Sequence, residues 1–152
     1  MVDAILRLRP CIEEIARGRF RRAEEIYRRV ERRLLSRKNL DEFSRGYLYA
    51  VKGLLRLKNP EGRYRFLVFR RCWDDPEALK RERDHARWFM IHQPFADAFD
   101  RGFYAAIIDF VDARVNAIEE ELTVVPGLRK GANPLGSTSR RGPRRRRRRR
   151  SR

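Results

Sequence analysis

Asp41-Glu42-Phe43-Ser44-Arg45-Gly46-Tyr47-Leu48-Tyr49-Ala50 reads as the opening of an amphipathic helix, and its near repetition later in the chain sets the fold class. Asp41 stands where a capping carboxylate meets the free N–H groups of a first turn. Phe43, Tyr47, Ala50, Val51 and Leu54 then keep helical period to about residue 58. At an offset of 56 residues, Asp97-Ala98-Phe99-Asp100-Arg101-Gly102-Phe103-Tyr104-Ala105-Ala106 aligns with the first segment without gaps, so one structural unit is expected to occur twice. A glycine one turn into a helix costs about 1 kcal/mol relative to alanine, which calls for a compensating reason. Close packing supplies it. Gly46, Ala50 and Gly53 share one side of their helix, as do Gly102, Ala105 and Ala106, and small residues there admit a neighbouring helix. Arg45 and Arg101 are expected to cap carbonyls or to pair with Asp41 or Asp97 of their own turn.

The same periodicity extends through most of residues 3–121. Phe20, Ala23, Tyr27, Val30 and Leu34 form one stripe, with Arg22, Arg29 and Arg33 away from it, which predicts a helix from about 19 to 37. Pro10 suits a first helical turn and Gly18 interrupts, so a short helix near 10–17 precedes it, with residues 3–9 open. Asn59-Pro60-Glu61 reads as a stop and a start. Arg63 to Arg70 has strand-like composition but no partner strand, so residues 61–72 are expected to be helical. Asp74-Asp75-Pro76 opens a helix that ends before Pro94, and a last long helix covers about 97–121. The fold expected is all-α: five or six helices packed as antiparallel hairpins in residues 1–125, followed by a disordered, Arg-rich carboxyl-terminal tail in residues 126–152.

Gly18-Arg19-Phe20-Arg21-Arg22-Ala23-Glu24-Glu25-Ile26-Tyr27-Arg28-Arg29-Val30 resembles the turn and second helix of a tetratricopeptide repeat, with glycine, aromatic, alanine and aromatic at the family's spacing. The likeness covers about one repeat; the family's Trp and Leu-Gly of the first helix are missing. It implies a stack of helical hairpins that binds a protein or peptide on one face, and hence a protein partner for the helical body. The body also loosely resembles small uncharacterised helical proteins of archaea that share the Asp-x-Phe-x-Arg-Gly-aromatic helix start. That likeness implies a helical fold and no activity.

The chain of 152 residues carries 38 basic and 21 acidic side chains, +17 overall, and the charge is unevenly placed. Arg129, Lys130, Arg140, Arg141, Arg144, Arg145, Arg146, Arg147, Arg148, Arg149, Arg150 and Arg152 stand in a stretch without one acidic residue, and what precedes residue 129 is only mildly basic. Gly, Pro, Ser and Thr dominate between Val125 and Arg140, a composition that buries too little surface to offset its ordering entropy. Each guanidinium is permanently charged and offers a fork of donors that fits phosphate oxygens, so RNA or DNA is the expected partner of the tail. Solubilising or nuclear-targeting roles, or an acidic protein or membrane partner, are the alternatives. A membrane is disfavoured because the tail has no apolar wedge. Arg22, Arg29, Arg33, Arg37 and Lys38 form a possible second basic surface, against the simpler reading of a solvated face with pairs such as Glu24–Arg28 and Glu25–Arg29. Arg63, Arg65, Arg70 and Arg71 interleave with Tyr64 and Phe66, aromatics better placed in a core than on bases.

Little points to catalysis. His85 and His92 share a helical face with Asp84 near, but no third ligand at metal spacing is visible, and Glu119-Glu120-Glu121 suits pairing with a basic patch. No phosphate loop or nucleophile elbow occurs, so neither a cofactor nor an enzymatic activity is expected. Cys11 and Cys72 are isolated thiols, the first residues lack an export signal and no apolar run of membrane-spanning length occurs, so a cytoplasmic protein is expected. The abundance of charge, Arg over Lys and a single glutamine, Gln93, fit a thermophile or a GC-rich genome. The function expected is non-enzymatic nucleic-acid binding, of RNA first, with ribosome association as one form of it. A tetratricopeptide-like adaptor and a DNA-bound chromatin-type factor are the alternatives.

Overall fold

The structure is a computed structural model that describes residues 2–36, 40–59, 66–93 and 97–124. Among these residues it contains six α-helices, one 3-10 turn and no strand. They are α1 (Val2–Ala16), α2 (Phe20–Leu35), α3 (Glu42–Leu55), the 3-10 turn Arg56–Lys58, α4 (Leu67–Arg71), α5 (Pro76–His92) and α6 (Ala98–Val124). The all-α architecture expected from the periodicity is therefore present. The expected tail lies outside the described residues, as do residues 61–65 of the segment with mixed character; its remainder forms α4, and Phe66 is buried.

Local chemistry sets most boundaries. Asp41 accepts from the Ser44 N–H at 2.8 Å, Asp75 from Ala78 at 2.9 Å and Asp97 from Asp100 at 2.9 Å, each satisfying a donor that the helix leaves free. Pro76 occupies a first-turn position of α5, where its missing N–H costs nothing. At the end of α1, Gly18 adopts φ +72°, its N–H reaches the Ile15 carbonyl and the Arg19 N–H reaches the Glu14 carbonyl, both at 2.8 Å. This paired closure needs a left-handed residue at that point. One boundary that the sequence leaves open is set by packing. α1 runs through Pro10 from Val2, because Leu8, Ile12 and Ile15 are fully buried on both sides of the proline, and that shared apolar face outweighs a proline penalty of about 3 kcal/mol.

Hairpins set the sense of each helix. α2 turns back on α1 at Gly18, and Lys52–Glu31 (3.7 Å) and Lys58–Glu24 (2.7 Å) fix α3 antiparallel to α2. Arg83–Asp112 at 2.9 Å and the Phe89–Tyr104 ring stack at 5.6 Å fix α6 antiparallel to α5. α1 also lies along α6, with Arg17 reaching Glu120 at 3.4 Å, so the first and last long helices meet.

α3 and α6 form the most extensive helix pair, and they cross at their glycines. A methyl group added to Gly46 would fall on the main-chain carbonyl oxygen of Phe99, and one added to Gly102 on that of Phe43. The contact is reciprocal, and it explains the two helical glycines as points of backbone-to-backbone approach. Gly53 serves a different neighbour, since its missing side chain makes room for the Phe66 ring.

The internal repeat is longer than the ten-residue motif. α2 and α5 begin at Phe20 and Pro76, α3 and α6 at Glu42 and Ala98, each pair separated by 56 residues. Burial follows the same register: Ala23 with Leu79, Val30 with Ala86, Tyr47 with Phe103, Ala50 with Ala106, Val51 with Ile107 and Leu54 with Phe110 are all buried. At that offset the five-residue α4 corresponds to residues 11–15 of α1. The fold thus repeats one helix pair, α2–α3 and α5–α6, in a single register, with α4 standing at the positions of residues 11–15.

Phe66, Phe69, Trp73, Phe103 and Phe110 fill the second half with ring contacts of 5.5–6.3 Å. Against them lies Arg114, 3% exposed. Its guanidinium donates to the carbonyls of Trp73 and Ala16, both at 3.0 Å, and to Asp74 at 2.9 Å and Glu121 at 3.2 Å, with the Trp73 ring 4.5 Å below. One cation so joins the end of α1, the loop before α5 and the last helix.

Candidate nucleic-acid interface

α2 buries Ala23, Tyr27, Val30 and Leu34, which leaves two stripes of arginine on its outer surface. Arg22, Arg29 and Arg33 form one, Arg21, Arg28 and Arg32 the other, each at spacings of seven and four that align along a helix. Six arginines face three glutamates over Phe20–Leu35.

Their neighbours divide these arginines into two groups. Arg28 binds Glu24 at 2.7 Å, as the spacing predicts, but Glu25 pairs with Arg21 at 3.8 Å instead of with Arg29. Glu24 also holds Lys58 at 2.7 Å, and the Lys58 hydrogen bond and charge, followed by Arg28, keep its carboxyl below the usual carboxylate range. Arg22 and Arg19 lean toward Glu14, at 4.0 and 3.6 Å, a carboxylate tucked into the α1–α2 hairpin. Arg29 and Arg33 make no ion pair or side-chain hydrogen bond with any described residue. Both are exposed, and Arg33 borders a surface hollow together with Arg7 of α1. The carboxyl-terminal dipole of α2 favours cations at Arg32 and Arg33 without requiring a ligand.

Of the residues singled out in the sequence, Arg22, Arg29 and Arg33 therefore share a face, and Arg29 and Arg33 carry its uncompensated charge. Arg37, Lys38, Arg129, Lys130 and the arginines from Arg140 to Arg152 lie outside the described residues.

Elsewhere charge of both signs is exposed, with Arg71, Arg81 and Arg101 likewise making no ion pair with a described residue, and one groove is mainly acidic. Between α1 and α6, Glu13, Asp109, Asp112 and Glu120 line a groove of about 290 Å³ with Arg9 and Arg17 as its only cations among the described residues. Asp109 accepts the Tyr47 hydroxyl at 2.6 Å, and burial, reinforced by that carboxylate, raises the Tyr47 phenol above its ordinary range. The glutamates at the end of α6 find basic partners as their sequence suggests, Glu120 in Arg17 and Glu121 in Arg114. Arg45, by contrast, pairs with Glu42 at 2.7 Å rather than Asp41, whose oxygens are taken by the Ser44 N–H and hydroxyl.

The remaining candidates for chemistry are separated. His85 comes no closer than 4.0 Å to Glu82, and His92 meets the Trp88 carbonyl at 3.1 Å and stacks on the Trp88 ring. Cys11 and Cys72 are buried thiols that donate to the Ala23 and Val68 carbonyls, and burial pushes Cys11 up to about 12. No group of three or more His, Cys, Asp or Glu is placed to hold a metal among the described residues, and no described helix is long and apolar enough to cross a membrane.

Sequence reasoning passed over Arg114, the most connected side chain in the fold. Its only signal was its position within the apolar run Val111, Val115 and Ile118, which places a charge on a buried face. Compared with protein-family models, curated proteins and solved structures, the chain matches none.

Proposed function

We propose that this chain is a non-enzymatic RNA-binding protein whose arginine-rich carboxyl-terminal segment neutralises phosphates while the outer face of α2 meets a second part of the same RNA. The observation that carries the reading is the distribution of charge: twelve basic residues and no acid from Arg129 onward, and a helical body whose exposed guanidinium groups at Arg29 and Arg33 have no acidic partner among the described residues. Phosphate contacts of this kind position a protein without reading bases, so the target is recognised by the density and arrangement of its phosphates. A compactly folded RNA offers both, and a ribosomal RNA is the leading example of that class. The cytoplasm is the matching compartment.

Binding of the intact chain to a structured RNA and to duplex DNA, each measured across a salt series, tests this. Contacts by the tail alone give a slope of log K against log salt on the order of −0.7 to −0.9 per phosphate, so ten contacts approach −7 to −9. A chain lacking residues 129–152 should lose most of that slope yet keep a measurable salt dependence through α2. Equal affinity for duplex DNA moves the assignment to a DNA-bound factor. Salt-independent retention, or identical behaviour with and without the final segment, overturns it.

A further inference from the structure

α5 carries a large aromatic ring on its outer side. Leu79, Ala86 and the half-buried Phe89 and Met90 define the inner side of the helix. At about 3.6 residues per turn, Trp88 stands opposite them. It is 54% exposed, and its neighbours on that side are Arg81, Asp84 and Ile91. A tryptophan left in water on an otherwise largely charged face calls for a reason.

The ring is held in place. It lies nearly parallel to the His92 imidazole, with centroids 5.1 Å and planes 16° apart, and His92 Nδ1 is fixed against the Trp88 carbonyl at 3.1 Å. Phe89 meets the Trp88 ring edge-on at 5.4 Å and is itself stacked on Tyr104, so α6 braces the pair. Arg81, His85, Trp88 and His92 follow one another at spacings of four, three and four and form one exposed stripe. No acidic residue interrupts it. Of the flanking carboxylates, Asp84 turns to Arg83 at 3.4 Å and Arg87 at 4.0 Å, and Glu82 stays 4.0 Å from His85. Arg81 makes no ion pair with a described residue. At the offset of the repeat, Arg81, His85 and Trp88 take the positions of Glu25, Arg29 and Arg32, so the face that bears unpaired arginine on α2 bears basic and aromatic groups on α5.

We infer that the Trp88–His92 pair is a stacking platform for an unpaired base of single-stranded RNA, with Arg81 meeting the phosphate chain beside it; the inference rests on the RNA-binding reading above and adds a contact that arginines alone do not make. Phosphate contacts grip the backbone and ignore the bases. A braced pair of parallel rings offers a π-face to any base splayed out of a helix, and such stacking tolerates sequence. Charge selects this occupant over a protein. Arg81 lies about 10 Å along the helix from Trp88, and an apolar partner covering both would bury a guanidinium without a counter-charge. A single strand supplies base and phosphate together.

The test uses the full chain, a single-stranded RNA of about twelve nucleotides and an abasic oligomer with the same sugar-phosphate chain. Tryptophan fluorescence and affinity are followed across a salt series. RNA should quench the fluorescence saturably and the abasic oligomer should not; Trp88→Ala should abolish the quenching although Trp73 remains. That variant should weaken RNA affinity about five- to 150-fold, the range for one stacked base, with an unchanged salt slope. Circular dichroism should show its helical content intact, and Trp88→Tyr should recover most of the affinity. Arg29→Ala with Arg33→Ala should leave the quenching at saturation unchanged. If the intact chain binds neither oligomer in dilute buffer, the RNA-binding reading fails and takes the platform with it. If RNA is bound with a steep salt slope, yet equally well by Trp88→Ala or no better than the abasic oligomer, the platform alone is overturned. Unchanged RNA affinity of Trp88→Ala together with loss of a bound protein gives the face to a protein partner and overturns it as well.

Discussion

Replacing Gly46 with alanine tests whether backbone approach at the α3–α6 crossing organises this fold. At an exposed helical position the change would stabilise the protein by about 1 kcal/mol through helix propensity. Here the new methyl group lands on the Phe99 carbonyl oxygen, and the mirror change at Gly102 lands on that of Phe43. Neither obstacle is a side chain that can swing aside, so the two helices must separate. Overpacking costs about 1–3 kcal/mol, and a backbone clash belongs at the upper end. Subtracting the propensity gain leaves a net loss of about 2 kcal/mol for each variant, which for a domain of this size lowers the melting temperature by roughly 6–10 °C. Because one separation accommodates both methyl groups, the double variant should lose about 3 kcal/mol and not the additive 4, a coupling typical of residues in contact. Urea unfolding followed by helical circular dichroism measures all three. A rise in stability for either single variant refutes the crossing, and a loss in only one of them refutes the reciprocal arrangement.

Substituting Arg114 with methionine keeps the length and apolar contacts of the side chain but leaves the Ala16 and Trp73 carbonyls without their donor; a loss of about 2–4 kcal/mol in urea unfolding is expected, against near-wild-type stability if the arginine merely fills space. Alkaline pH should destabilise the fold. Burial raises Tyr27, Tyr47 and Cys11 in the folded chain, so the folded state keeps protons that the unfolded state releases. Stability is then full below about pH 8.5 and falls by up to about 1.4 kcal/mol per pH unit for each group as pH rises through the unfolded values. Melting temperature measured between about pH 8 and about pH 11 checks this, and a flat profile contradicts it. Arg29→Ala with Arg33→Ala should leave the melting temperature unchanged but lower the salt slope for RNA by about 1.5–2, one increment per lost phosphate contact; an unchanged slope removes α2 from the interface.

Much of the architecture was legible because its signals are local. Asp41, Asp75 and Asp97 announce helix starts through hydrogen bonds within three residues, and the stripe from Ala23 to Leu34 is a property of one helix. Pro10 left the start of α1 open for the same reason: its local preference suits a helix start, whereas the burial of Leu8 and Ile12 holds α1 together across it. The candidate interface was legible in part. Arg22, Arg29 and Arg33 were recognisable as one face, but which of them lack a counter-charge depends on Glu14, eight or more positions away along the chain and brought back by the Gly18 turn.

The sequence by itself determined the helical class, the arginine-rich end and the existence of a duplicated motif, since composition, period and capping chemistry are read within a few residues. Tertiary structure decided that the duplication covers the helix pairs α2–α3 and α5–α6, that Gly46 and Gly102 each meet the backbone of the opposite helix, and that Arg114 joins three segments. These depend on contacts between residues tens of positions apart, and no local pattern encodes which surfaces a chain will bring together or leave open.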